Sequence, residues 1–281
     1  MTIDRDVLVL GGTGKIGRRV VERLTGRGVP TRVGSRAGEP AFDWERPATW
    51  APAVRGAGAV YLSYFPDLAV PGAVDAVREL TSLALDAGAR RLVLISGRGE
   101  EEAERAERVV QESGAEWTVV RCSWFAQNFS EGYLLEPILA GVLALPAGDV
   151  PEPFVDADDI ADVAVAALTD DGHAGEVYEL TGPTSLTFAE AVEEIARAAG
   201  RDVRYVAVPL EEYMGLAADT VPPTYLALLA YLFREVLDGR NAIPADGVRR
   251  ALGREPRDFG EYARRAAATG VWDAAPVRRA A

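Results

Sequence analysis

The stretch Val7-Leu8-Val9-Leu10-Gly11-Gly12-Thr13-Gly14-Lys15-Ile16-Gly17 decides how this chain folds. Four apolar residues bounded by two glycines have the pattern of a short strand buried on both faces. Ile16, Val20, Val21 and Leu24 then recur at helical spacing, and Gly26 and Gly28 stop that helix. A glycine turn between a strand and a helix has a physical role. One glycine permits the tight turn, another lets the backbone approach a pyrophosphate, and the last lets the helix pack closely on the strand. The helix start adds N–H groups and positive partial charge that favour phosphate. A P-loop is excluded, because Lys15 is followed by Ile16 where that motif needs Ser or Thr.

Working outward, the alternation continues. Thr31-Arg32-Val33-Gly34 reads as a second strand, with a third short strand or turn around Phe42-Asp43-Trp44. Ala59–Ser63, Arg91–Ser96 and Trp117–Arg121 read as further strands, separated by helices over 72–87 and 100–112. Glu176–Leu180 adds one more strand. Residues 187–199 predict a helix, with Thr187 and Glu190 spaced as a capping box. The fold class is α/β: a doubly wound parallel sheet of Rossmann type, with a smaller, mostly helical C-terminal part. The expected layout is a dinucleotide-binding domain over 1–155, completed by a strand near 176–181, and a substrate-binding or lid region over 183–281.

Composition bounds the function. The chain has 281 residues, 48% hydrophobic and 26% charged, as in a soluble globular protein, with a formal net charge of -13. That acidity argues against nucleic acid or an anionic membrane as partner. Among 30 Lys plus Arg only Lys15 is a lysine, so chemistry that needs a lysine must use Lys15. Cys122 is the one cysteine and His173 the one histidine, which excludes an intrachain disulfide and a Cys/His zinc cage. Asp156, Asp158 and Asp159 resemble a metal cluster, but a helix start explains them, and no metal is expected. The most apolar late stretch, Tyr225–Phe233, is far short of a membrane span. The N-terminus lacks a basic region and a cleavage site, so a cytoplasmic protein is expected. Nothing in the sequence specifies an oligomeric state.

The end of the second strand indicates the cofactor. An NAD site places Asp or Glu there for the ribose 2′-hydroxyl. This chain has Gly34-Ser35-Arg36 and no acid. Arg36 suits a 2′-phosphate and Ser35 can donate to it, with Lys15 as a second positive charge, so NADP(H) is expected. The alternative is that Arg36 is a solvated loop arginine. Asp43 is placed either for the adenine amino group or as a plain turn aspartate.

Short-chain reductases pair a Tyr-x-x-x-Lys dyad with a Ser, the tyrosine supplying a proton as hydride arrives. Ser96 is present, but Gly97-Arg98-Gly99-Glu100-Glu101-Glu102-Ala103-Glu104 contains neither Tyr nor Lys. No catalytic residue is assigned. One reading is a reductase whose acceptor needs no proton from the enzyme, such as a cyclic imine in its iminium form, where the nitrogen absorbs the electron pair. The others are a non-catalytic NADP(H)-sensing protein and a quinone or azo reductase. The Glu100–Glu107 run reads as a solvated helix face partnered by Arg105 and Arg108. Cys122 reads as core and His173 as a residue of a surface turn.

Gly11-x-x-Gly14-x-x-Gly17, Gly34-Ser35-Arg36, the Phe42-Asp43-Trp44 piece, Ile95–Glu107, Trp124–Phe129, Phe154–Ala164 and Glu179–Pro183 together resemble the NmrA-like atypical short-chain dehydrogenase/reductases. Among them the chain is most similar to the ergot-alkaloid dehydrogenase group (agroclavine dehydrogenase and festuclavine synthase) and its bacterial relatives. That resemblance implies an NADPH-dependent oxidoreductase acting on a small molecule, with imine reduction as its associated chemistry. It implies a cofactor site of Gly11, Thr13, Gly14, Lys15, Ile16, Gly17, Ser35, Arg36, Asp43, Ser63, Tyr64 and Ser96. It also implies substrate contacts from Tyr64, Phe65, Arg98, Trp124, Phe125 and Asn128. Cys122 stands where many NmrA-like members have proline. Trp124 and Tyr64 could hold a cation by cation–π contact, or Trp124 and Phe125 could simply plug the core.

Overall fold

The computed structural model describes residues 6–219 and 221–273. The described chain divides into two compact units. The first holds the chain up to Ser123, residues 157–181 and residues 245–255; the second holds residues 124–156, 182–244 and the described chain from Pro256.

In chain order the first unit opens with β1 (Asp6–Leu10), α1 (Lys15–Gly26), β2 (Thr31–Gly34), α2 (Trp50–Val54), β3 (Ala57–Leu62), α3 (Ala73–Asp86), β4 (Arg91–Gly97), α4 (Glu101–Gln111) and β5 (Glu116–Cys122). The chain then builds α5 (Asn128–Glu131), α6 (Leu135–Leu139) and β6 (Val142–Leu145) in the second unit. It returns to the first unit for α7 (Ala157–Thr169) and β7 (Glu176–Leu180). The second unit continues with α8 (Phe188–Ala199), β8 (Arg204–Ala207), α9 (Leu210–Ala217) and α10 (Pro223–Tyr231). After α11 (Gly247–Leu252) in the first unit, α12 (Phe259–Ala268) ends the described helices.

Among the described residues the first unit's sheet has six strands in the order β2-β1-β3-β4-β5-β7, all paired in parallel. This is the doubly wound α/β architecture that the alternating pattern predicts. Val7, Val9, Tyr61, Leu92 and Leu94 have no more than trace exposure, because helices cover both faces of the sheet. On one face α2, α3 and α4 pack through Trp50, Val54, Val77, Leu80, Ala103 and Val110. On the other, α1 lies against α7. Arg23 bridges Asp158 at 2.8 Å and Asp162 at 2.6 Å, and Arg254 bridges Asp159 at 2.7 Å. The aspartates at the start of α7 are therefore held by arginines, and Asp158 and Asp159 also sit favourably in its first turn.

Three features refine or correct the sequence reading. First, of the strand or turn expected at residues 42–44, the chain forms the turn. The backbone there is satisfied by side chains: Trp50 Nε1 donates to the Asp43 carbonyl at 2.8 Å, and Asp43 N–H donates to Thr49 Oγ1 at 3.1 Å. Second, residues 124–155 pack in the second unit and not with the dinucleotide-binding domain. Phe129, Leu134, Ile138, Leu143 and Phe154 join Phe188, Phe259 and Trp272 in one apolar core. Third, residues 245–255 return to the first unit, where Gly247 packs so closely on the Glu179 backbone that a Cβ has no room.

The second unit is mostly helical, with a two-stranded parallel sheet of β6 and β8. Its α8 carries the capping box: Thr187 Oγ1 accepts from Glu190 N–H at 3.1 Å, and the Glu190 carboxylate accepts from Thr187 N–H at 2.8 Å. No described helix is long and apolar enough to cross a membrane.

Candidate functional site

The glycine turn joins β1 to α1 at the C-terminal edge of the parallel sheet, where open α/β sheets bind ligands. Gly11 has φ +65°, which an L side chain resists, and its N–H donates to the Gly34 carbonyl at 3.0 Å. A Cβ on Gly17 would fall on the Gly11 carbonyl, so the third glycine sets how closely α1 approaches the turn. A Cβ on Gly14 would meet only the Gly11 carbonyl, at 3.2 Å, and otherwise open space. Gly14 is the N-cap of α1, no side chain caps the helix, and its first turn has no acid. No side-chain cap or first-turn acid thus competes with an anion at this helix start, and Thr13 and Gly14 are exposed there. Ile16 and Gly17 are buried, while Lys15 is half-buried.

Ser35 and Arg36 follow β2 directly, with Ser35 half-buried and Arg36 exposed. The Ser35 carbonyl accepts from Gly38 N–H at 3.0 Å and Phe42 N–H at 2.8 Å, which closes this loop into a defined turn. An aromatic cluster ties the loop to the end of β3. Trp44 lies 5.0 Å from Phe42 and 4.7 Å from Tyr64 between ring centroids, and its Nε1 donates to the Ser63 carbonyl at 2.9 Å. Ser63 Oγ would lie 3.5 Å from a Cβ built on Gly11. Burial pushes the Tyr64 phenol above its ordinary range, with the Glu45 charge adding to the effect. Phe65 is 69% exposed, an unusual state for a large apolar side chain. The Asp43 carboxylate accepts from Glu45 N–H at 3.1 Å, a local turn contact.

At the end of β4 the side chains are already committed. Ser96 is buried, and its hydroxyl donates to Glu107 Oε1 at 2.6 Å. Arg121 forms a two-pronged ion pair with Glu107 and also reaches Glu179 at 3.0 Å. That pairing with Glu107, opposed by partial desolvation, raises the Arg121 pKa beyond its usual value. Arg98 bridges Glu179 at 3.2 Å. Burial pushes the Cys122 thiol well above its ordinary range, as expected of a core residue rather than a nucleophile.

Sequence reasoning missed a pair of acids beside this strand end. Glu100 is 7% exposed and Glu107 1% exposed, so the run from 100 to 107 is not a uniformly solvated face. The signal was present: Ala103, Ala106, Glu107 and Val110 share one buried face of α4 at helical spacing. Arg105 does pair with Glu101 and Glu102 on the exposed face. The Glu100 carboxyl lies over Gly97, where a Cβ at that glycine would be, and hydrogen-bonds with Asp67 from the loop after β3. Burial first, then the Asp67 charge and hydrogen bond, then the Glu107 charge, hold the Glu100 pKa well above the carboxylate range. Asp67 is raised too, mainly by burial, while its hydrogen bonds with Ala69 N–H and Glu100 oppose the shift.

Trp124, Phe125 and Asn128 belong to the second unit. Trp124 packs edge-on against Phe188 at 5.5 Å and lies 5.2 Å from Phe233, as part of that unit's apolar cluster. Phe125 pairs with Val155 in an isolated β-bridge, and Asn128 opens α5.

A profile of the NmrA-like family matches residues 103–263. The chain is 32% identical to YesF, an uncharacterized oxidoreductase of Bacillus subtilis, over 95% of this chain and 97% of that protein. It is 32% identical to an NAD(P)H azoreductase of Xenophilus azovorans, over 93% of this chain and 98% of that protein. Agroclavine dehydrogenase of Claviceps fusiformis is 29% identical, over 91% of this chain and 95% of that protein. An NADPH-dependent quinone oxidoreductase of Escherichia coli, solved with NADPH, superposes with a TM-score of 0.76 at 21% identity, over 92% of this chain and 98% of that one, and shares the fold. Family profile and full-length relatives agree with the residues that suggested the resemblance: the chain belongs to the NmrA-like family.

Proposed function

We propose that this protein is an NADPH-dependent oxidoreductase that transfers hydride to a small organic acceptor without a Tyr-Lys dyad. The observation that carries the reading is the uncapped glycine turn at Gly11–Gly17 with Ser35 and Arg36 at the end of β2. The donor set fits NADP(H). The turn leaves space at Gly14 for a pyrophosphate, and the loop after β2 presents a cation and a hydroxyl where an NAD site needs an acid. The reductase and dehydrogenase names of the relatives support turnover over mere binding.

In this reading Thr13, Gly14, Lys15 and Ile16 hold the pyrophosphate, while Ser35 and Arg36 hold the 2′-phosphate. Ser63 and Tyr64 border the nicotinamide end, with Phe65 and Arg98 toward the substrate. Ser96 supports the end of β4 by donating its one O–H to Glu107. When bound, NADPH supplies the hydride. Trp124, Phe125 and Asn128 are proposed as further substrate contacts.

The test is oxidation of NADPH deuterated at C4, followed against iminium salts, quinones and azo dyes. Deuterium in the reduced acceptor is the expected result. Tight cofactor binding with no oxidation by any acceptor class would favour a sensing protein instead.

A further inference from the structure

We propose that Glu100, resupplied through Asp67, is the proton donor of this reductase, so that its acceptor is one whose oxygen or nitrogen takes a proton as hydride arrives, such as a quinone or an azo compound. The inference rests on the reductase reading above and names its substrate class. It reverses the argument for an iminium, which depended on the missing Tyr-Lys dyad as the proton source.

The geometry is specific. Glu100 closes the turn Gly97-Arg98-Gly99-Glu100 after β4, at the same edge of the sheet as the glycine turn. Its side chain folds back over Gly97, which has no side chain to exclude it. Gly97 pairs with Cys122 on β5, and Tyr61 and Ser63 follow the same alternation on β3, so the carboxyl lies on the face that Ser63 shares with Gly11. Glu100 is 7% exposed, and apart from the Asp67 carboxyl no hydrogen-bond donor reaches its buried Oε2. A buried carboxyl that no donor or cation meets favours its un-ionised form. Asp67, by contrast, is only half-buried as a residue.

The groups around Glu100 favour its un-ionised form. Asp67 faces it from the loop after β3, Glu107 from α4, and Cys122 from β5, where burial keeps the thiol neutral. Arg121 is committed to Glu107 and Glu179. Two carboxyls in hydrogen-bond contact do not both ionise readily, so the pair keeps one proton to higher pH than an isolated carboxyl would.

The step balances. The acceptor gains hydride, with its two electrons, from the dihydronicotinamide and a proton from the Glu100 carboxyl. Oxidised cofactor and the Glu100 carboxylate remain, and a solvent proton returns to Glu100 through Asp67. An iminium would take the hydride alone and leave this proton unused.

The test compares wild type with Glu100→Gln in three measurements. Infrared difference spectra of the protein alone, near neutral pH, report the C=O stretch of an un-ionised carboxylic acid. Nicotinamide fluorescence reports NADPH binding. Steady-state rates are measured with a 1,4-naphthoquinone and with a preformed N-methyl cyclic iminium salt. The expected result is a carboxylic acid band lost in Glu100→Gln, with NADPH affinity kept and quinone kcat lowered about 100-fold. Iminium turnover stays within about threefold of wild type. Unchanged quinone turnover, equal losses on both acceptors, or no band in wild type would each overturn the proposal. If Glu100→Gln does not fold, Asp67→Asn takes its place and lowers quinone kcat about tenfold by cutting the resupply, with the iminium rate again unmoved. Wild type that binds no NADPH removes the reductase reading itself, and this proposal with it. NADPH bound and consumed without the Glu100 effect removes only the proposal.

Discussion

The Glu100 carboxyl occupies the space that a side chain at Gly97 would need. Backbone and acid are thus matched at the end of β4: the glycine admits the carboxyl, and the carboxyl closes over the glycine. The neighbouring strand end is rigid for a different reason, since Ser96, Glu107, Arg121 and Glu179 form one connected hydrogen-bonded network.

Gly97→Ala tests the first match directly. The new methyl group meets the far end of a flexible side chain, so the fold survives at a cost of about 1 kcal/mol. Glu100 is displaced toward water, and its carboxylic acid band is lost near neutral pH. A Gly97→Ala protein that keeps the wild-type band would show that the two residues are not coupled.

Stability against pH gives an independent check on Glu100. Its pKa is raised on folding, so its contribution to stability is present below the unfolded value and lost as pH rises through the folded value. Glu100→Gln has no such loss. Urea unfolding should therefore find the variant gaining on wild type as pH rises above about 4.3, by up to about 1.4 kcal/mol per pH unit inside the window. A constant difference across that range contradicts the assignment.

Arg121→Ala leaves Glu107, which is 1% exposed, without its ion partner. Breaking such a pair from one side costs about 3–5 kcal/mol. Removing Glu107 as well should cost less than the two single losses together, because the stranded charge is gone. Denaturant midpoints of the two single variants and the double variant measure the coupling.

The first strand, the glycine turn and α1 were legible because each local signal agrees with the next: a buried apolar run, glycines at the turn, and a helical apolar stripe. The capping box at Thr187 and Glu190 was equally readable, since both partners lie within four residues. Other features depend on distant residues. Val142–Leu145 is a short apolar run whose strand partner, Arg204–Ala207, lies some sixty residues later. Residues 124–155 were assigned to the wrong unit because their core partners, Phe188 and Phe259, come later in the chain. Glu107 was hidden by its own charge, although Ala103, Ala106 and Val110 marked its face as buried. Glu100 and Asp67 come together only when β3 and β4 lie side by side, so no spacing in the sequence links them.

A 2′-phosphate-selective dinucleotide site at Gly11–Gly17 and Arg36 underlies the whole functional reading. Calorimetric titration of NADPH and NADH into wild type and Arg36→Ala measures it. Wild type should bind NADPH at least about tenfold more tightly than NADH, and Arg36→Ala should abolish the preference while still binding NADH. Equal affinity for the two cofactors in wild type, or binding of neither, would contradict it.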